Sequence, residues 1–381
     1  MNTPVPRSSV ADSAREKNPV METRWTLEPS LRQVLSLSAL TCVLFVSFIS
    51  LCRNYAATVD TFGDSAAYMV LASAIRHWDF QGIVVKQFWG LPYAMAALSE
   101  LTRCSDRTAL LLVSFASSFF AVVLADSLWG GWVAGFFAVL SFDWMQRSFL
   151  GGSEPLFVAL LFGSFLLVRK ERWLSGALLA SLATVVRPMG FLVLLGIGLA
   201  LLRKRDYRTL LLAIAIGATV GALYVIPLAR HFGDPLATVN SYHSKEWQGG
   251  WLFGFPFYAI IKGTVLEPAP VTNLLLSFSW ILLVLVAIVM MIRRASFREY
   301  AMNHPVETVF LIPYLWMLYA YNYPHWARGN FVRFAIPIVP FVLLALDRWV
   351  PKDRRVLWLL GVVTPILAAA SAIGIINFIR F

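Results

Sequence analysis

TNLLLSFSWILLVLVAIVMMI, residues 272–292, holds no charged side chain and is apolar along nearly all of its length. A helix that crosses the hydrocarbon core of a bilayer needs about 20 such residues, because each residue advances the chain by about 1.5 Å. Runs of the same kind recur on both sides of it. Toward the N-terminus they cover 34–52, 108–125, 129–145, 154–168, 173–187, 188–202 and 208–228; toward the C-terminus, 306–322, 331–347 and 355–378. The pair around Arg187 and Pro188 reads either as two helices or as one helix kinked at the proline. The expected fold is therefore an all-α membrane protein of about eleven transmembrane helices.

Composition points the same way. The chain has 381 residues, of which 59% are hydrophobic and 14% charged, whereas a soluble domain carries about a quarter charged residues. That much apolar surface does not fit inside one water-soluble core.

The formal charge of +11 does not indicate a nucleic-acid partner, because it is confined to short clusters between apolar runs. These are Arg169, Lys170 and Arg172; Arg203, Lys204, Arg205 and Arg208; Arg293, Arg294 and Arg298; and Arg348, Lys352, Arg354 and Arg355. Basic clusters of this kind mark cytoplasmic loops. With the N-terminus in the cytoplasm all four fall on that side, together with Arg7, Arg15, Lys17, Arg24 and Arg32. Residues 1–32 are polar, rich in Pro and Ser, and lack an apolar period, so they are expected to be a disordered cytoplasmic tail. Residues 33–381 form the polytopic domain. Cys42, Cys52 and Cys104 show neither metal-ligand nor disulfide spacing.

This topology leaves the segments 53–107, 229–271 and 323–330 on the non-cytoplasmic side. In the first, Tyr68, Leu71, Ala72 and Ile75 recur at helical spacing, and Phe88, Trp89, Leu91 and Tyr93 form a second apolar stretch. Both read as amphipathic helices at the membrane surface.

Charged groups at membrane depth cost about 2.5–3.5 kcal/mol on insertion scales, so they call for a reason. Here Asp60, Asp64, Arg147, Glu154, Arg187, Arg328 and Arg333 gather toward the outer side. Asp64 fits either a helix cap before Ser65 or a base whose carboxylate takes a proton. Glu154 fits either the first turn of a helix beside Pro155 or a pocket edge near Arg147. Arg187 and Arg333 either snorkel to the headgroups or grip a phosphate with their forked guanidinium. His243 is outer-facing and could contact a substrate. Trp247 joins Trp251, Tyr321 and Trp326 in an aromatic set that is either a membrane belt or a stacking platform for sugars.

The segments VDTFGDSAAYMVLASAI and FWGLPYAMAAL resemble the first outer loop of the GT-C glycosyltransferases, in the pattern of protein mannosyltransferases and aminoarabinose transferases. GGSEPLFVALLF, LATVVRPMGFLVLL and NFVRFAIPIVPFVLLAL are similar to later helices in bacterial relatives of the GPI mannosyltransferases. The resemblance covers most of 34–347. It implies transfer of a sugar, of mannose-type hexose class, from a polyprenyl-phosphate donor to a glycan, lipid or protein acceptor, with inversion. Asp64 matches the catalytic acid, with Asp60 as its rival and Glu154 next. Arg187, Arg333, Tyr68, Arg147, His243 and Trp247 are the expected substrate contacts. The family's acidic pair is GDS here, with Ser65 in second place. No cofactor is required by the pattern; a divalent cation is the one candidate. Apart from that donor and acceptor, membrane lipids are the expected partners. The expected compartment is a bacterial cytoplasmic membrane, with the endoplasmic reticulum as the alternative. A transporter or flippase of a lipid-linked sugar is the competing function.

Overall fold

A computed structural model describes residues 28–83, 85–241, 252–266 and 271–379. These residues are helical almost throughout; among them the only β-type pairing is an isolated bridge between Phe253 and Tyr321. Among the described residues five helices are long and apolar enough to cross a membrane: Leu31–Cys52, Asp106–Trp129, Tyr207–Phe232, Leu274–Arg293 and Arg354–Asn377. A bent pair, Phe142–Leu150 and Glu154–Arg169, adds a sixth if counted as one span, with an angle of 106° between its halves. Shorter apolar helices, among them Gly131–Leu140, Trp173–Val186 and Pro305–Ala320, fill the bundle.

Two expected runs, 129–145 and 331–347, come out differently, and the pair at Arg187 and Pro188 comes out as two helices rather than one kinked helix. The run 129–145 is not one helix. Ser141 leaves helical geometry, ends Gly131–Leu140, and caps Phe142–Leu150 by accepting from the Trp144 amide at 3.2 Å. At 187–190 the chain forms two helices, Trp173–Val186 and Phe191–Lys204, joined by a 3-10 turn that starts at Pro188. The run 331–347 is broken into Phe331–Ala335, a 3-10 turn over Ile336–Ile338, and Val339–Ala345; Pro337 and Pro340 lack the amides a continuous helix would need.

The expected tail is corrected at its end. Residues 1–27 lie outside the described residues, but 28–32 are ordered. Ser30 and Gln33 form a reciprocal capping box. Glu28 accepts from the Gly131 amide at 2.7 Å, and its carbonyl accepts from Arg354 at 3.1 Å. Three segments distant in sequence are thereby joined at one end of the bundle.

The first loop contains three helices, Tyr55–Thr61, Ser65–His77 and Gly90–Thr102. The second buries Tyr68, Leu71 and Ala72, and the third buries Leu91, Met95 and Ala96. These faces pack on each other and on Asp106–Trp129.

The Glu154–Arg169 helix carries a polar cluster at each terminus. At its C-terminal end Arg169 donates to both oxygens of buried Glu307, at 2.6 and 2.9 Å, and to the Leu128 carbonyl at 2.8 Å. Tyr300 also donates to Glu307 and accepts from Trp129 at 2.7 Å. Removing one member of a buried pair strands the other, at a cost of about 3–5 kcal/mol. Glu307→Ala is therefore expected to destabilise the protein by about that amount, measured by thermal unfolding in detergent micelles. A loss below about 1 kcal/mol, typical of surface pairs, would contradict the assignment of this pair as a clamp.

Candidate functional site

The N-terminal end of the same helix holds a second cluster, built from four separate parts of the chain. Glu154 is 2% exposed. Its Oε1 accepts from both the Arg187 guanidinium and Arg333 Nε. Arg333 turns its other side to Asp64, donating from Nη2 to Oδ2 at 2.9 Å. One guanidinium thus joins two carboxylates that are ninety residues apart in sequence. Ser153 Oγ accepts from Tyr68 Oη at 3.0 Å and from Arg187 Nε at 3.2 Å, which locks the Gly151–Gly152–Ser153 turn to the first-loop helix.

Asp64 occupies the cap position of Ser65–His77, yet its side chain makes no capping hydrogen bond. Its carboxylate points to Arg333 instead, so the cap does not account for the residue. Burial pushes the Asp64 carboxyl upward, but Arg333 and Arg147 outweigh it and hold the group below its usual range. Asp64 keeps more exposure than Glu154, 28% of its side chain against 2%.

Arg147 is buried behind these groups, with its guanidinium 4.9 Å from the centre of the Phe62 ring. Among the described residues its Nε and Nη1 have no hydrogen-bond partner, and neither does Glu154 Oε2. Gly63 makes room for it: with φ +53°, a Cβ at Gly63 would sit 2.5 Å from Arg147 Nη1. Three guanidinium groups face the carboxylates of Glu154 and Asp64 here, and Asp143 adds a third acidic group on the Arg147 side.

A cavity of about 320 Å³ opens from this cluster, a size suited to a small molecule or to part of a larger one. Asp64, Tyr68, Ser153, Arg187 and Arg333 form its polar end. Val186, Met189, Leu252, Phe253, Met317 and Phe334 make most of the remainder apolar. Tyr314 and Phe334 are tied at its wall by a 2.7 Å bond from the Tyr314 hydroxyl to the Phe334 carbonyl.

The expected site residues thus separate into groups. Asp64, Tyr68, Arg187 and Arg333 share the cavity, while Glu154 and Arg147 lie directly behind it. Asp60 does not join them; it forms an ion pair with Arg107, both its oxygens accepting from that guanidinium. His243 and Trp247 lie outside the described residues. Ser153 and Tyr314 are additions the sequence reading did not single out. The GGSEP turn was the available signal for Ser153; nothing in the sequence marks Tyr314. For a divalent cation, no group of three His, Cys, Asp or Glu side chains comes together among the described residues. The two carboxylates that do converge are directed to arginines.

Two outcomes follow from this geometry. Arg333→Met takes from Asp64 its ion-pair partner and from Glu154 one of its two, and is expected to cost about 3–5 kcal/mol. Arg147→Met takes a cation away from Glu154, Asp64 and Asp143, but its Nε and Nη1 make no hydrogen bond among the described residues, so it is expected to cost less than Arg333→Met. Denaturant unfolding in micelles ranks the two; the reverse order would show Arg147 to be the structural group. The second outcome concerns pH. A carboxyl held low in the folded state contributes stability that is complete above its unfolded pKa, about 3.9, and is lost as pH falls through the folded value. The melting-temperature gap between the native protein and Asp64→Asn is therefore expected to be constant above about pH 5 and to close in more acid solution. A gap that widens on acidification would reverse the sign assigned to Asp64.

Comparison of the chain with family models, with curated proteins and with solved structures finds no match in any of the three.

Proposed function

We propose that this chain is a membrane glycosyltransferase that moves a sugar from a polyprenyl-phosphate donor to an acceptor hydroxyl at the non-cytoplasmic face. One observation carries the reading: a carboxylate and two arginines share one polar end of a cavity whose remaining walls are mostly apolar, with Lys86 and Gln87 also among its lining. An amphiphile with an anionic, oxygen-rich head and an apolar tail matches that division.

The orientation is supported by the placement of charge. Glu154 opens the helix that Arg169 closes, so the cavity cluster and the basic residues Arg169 and Lys170 are separated by about 24 Å, sixteen residues at about 1.5 Å each. Lys204 and Arg293 likewise fall at the C-terminal ends of their helices. With about eleven passes and the N-terminus in the cytoplasm, the basic end faces inward and the cavity outward. A bacterial cytoplasmic membrane suits this arrangement, with the endoplasmic reticulum as the alternative.

In the proposed reaction the donor phosphate lies against Arg187 and Arg333. An acceptor hydroxyl approaches the anomeric carbon from the face opposite the phosphate. Asp64 takes the hydroxyl proton as the new carbon–oxygen bond forms. The bond between the anomeric carbon and the phosphate oxygen breaks, and its electron pair leaves with the polyprenyl phosphate. Charge grows on that leaving oxygen, and the guanidinium groups stabilise it where it grows. Displacement from the opposite face inverts the anomeric centre. Asp64 suits the base better than Glu154, because Glu154 is enclosed and does not line the cavity.

The test uses the full chain in liposomes with radiolabelled polyprenyl-phosphate sugars and a membrane-lipid extract. Transfer to an acceptor is expected, and Asp64→Asn is expected to lower it by about 100-fold or more, the range of a general base. Arg187→Gln is expected to lose transfer with a raised donor requirement. Undiminished transfer by Asp64→Asn would remove Asp64 from the mechanism. Labelled lipid crossing the bilayer with no sugar transferred would make the chain a transporter.

A further inference from the structure

A short helix beside the cavity presents an apolar face that the described residues leave uncovered. Tyr258–Leu266 follows the bridge at Phe253 and is held to the end of Pro305–Ala320 by main-chain bonds. Gly254 and Phe257 donate to the carbonyls of Ala320 and Tyr319, each at 2.7 Å, and Asn322 donates to the Leu252 carbonyl at 3.0 Å. One face of the helix is fixed inward: Ala259, Ile260 and Gly263 are buried, with Gly263 against the Pro324 backbone, where a Cβ would collide.

The opposite face carries Tyr258, Ile261 and Val265, exposed by 54%, 64% and 80%, preceded by Phe255 at 87%. Positions 258, 261 and 265 fall on one side of a helix. Such a face is costly to leave in water. Two features indicate what covers it. Lys262 holds its ammonium 5.7 Å from the Tyr258 ring centre, so a cation and a phenol stand together beside the apolar face. Aromatic and basic side chains of this kind belong at the boundary between headgroups and acyl chains. The segment leading into the helix also rests on a membrane-type surface. Phe253 packs on Trp316, 5.5 Å between ring centres, and Trp316 and Ile312 are exposed large hydrophobic residues of the apolar helix to which this segment is bonded.

We infer that Tyr258–Leu266 is an interfacial helix, lying in the headgroup layer of a phospholipid bilayer with Ile261 and Val265 turned into the acyl boundary. Leu252 and Phe253, on the segment leading into it, line the cavity. The helix therefore fixes that cavity wall at the level of the lipid headgroups. The inference stands on this segment alone, independent of the chemistry at Asp64.

The experiment uses the full chain with Cys42, Cys52 and Cys104 replaced by Ala, reconstituted into phosphatidylcholine nanodiscs. Single cysteines at Ile261, Val265 and, as a wet control, Gln81 carry an environment-sensitive fluorophore. Both helix positions are exposed, so either label leaves the packing intact and each gives its own reading. Spin-labelled lipid with its nitroxide near the headgroup is expected to quench 261 and 265 several-fold more than iodide does, with the opposite order at 81. Iodide quenching at 261 and 265 equal to that at 81 would overturn the inference. So would protection from both quenchers with energy transfer between labelled copies, which would place a second chain on this face. Stronger quenching by a nitroxide at the acyl terminus than by the shallow one would also overturn it, by placing the helix in the hydrocarbon core.

Discussion

A charge inside a bundle of apolar helices must be matched by another, and the matching of Glu154 organises the rest of the structure. Its carboxylate takes both Arg187 and Arg333. That joins the start of the Glu154–Arg169 helix to the turn before Phe191–Lys204 and to the Phe331–Ala335 helix. In lipid, helices gain little from the hydrophobic effect when they meet, because the surroundings are as apolar as their side chains. Polar clamps then carry more of the burden of fixing register. The opposite terminus of the same helix is held by Arg169 on Glu307. A helix clamped at both ends has no freedom to slide, and the cavity walls that lean on it inherit its position.

The same clamp gives the two carboxylates unequal roles. Arg333 divides its donors between Glu154 and Asp64, but Glu154 also has Arg187, whereas among the described residues Asp64 has this one side-chain ion pair. On the proposed reading, a donor phosphate at Arg333 competes with Asp64 for the guanidinium. Losing part of that partner would relieve the force that holds Asp64 below its usual carboxyl range, making it a better proton acceptor once the donor is bound. Glu154, still held by Arg187, would keep the arginines in place during the exchange.

Much of the helix content was legible in the sequence, and so was the convergence of Asp64, Arg187 and Arg333, because few polar residues interrupt the apolar runs and each needed a reason. The breaks were harder. Ser141 ends a helix by its own capping bond, yet a serine in an apolar run usually bonds its own backbone without breaking anything, as Ser181 does here. Glu28 sits in a stretch whose composition resembles a disordered tail; its order comes from Gly131 and Arg354, which no local pattern discloses. Asp60 and Asp64 looked alike as neighbours on one turn. What separates them is Arg107, far along the chain, which takes Asp60 into a separate ion pair.

On the proposed reading, that separation lets this cluster be both a foundation and a working site. A buried group that must be saturated for stability is poorly suited to exchange partners, and a group free to exchange contributes little to holding helices together. Here the two demands fall on different carboxylates. Glu154, saturated on Oε1 and enclosed by protein, meets the first. Asp64, at a turn that Gly63 makes passable and open to the cavity, meets the second. Arg333 belongs to both, so any ligand that draws on it is sensed at once by the group that would act and by the group that holds the frame.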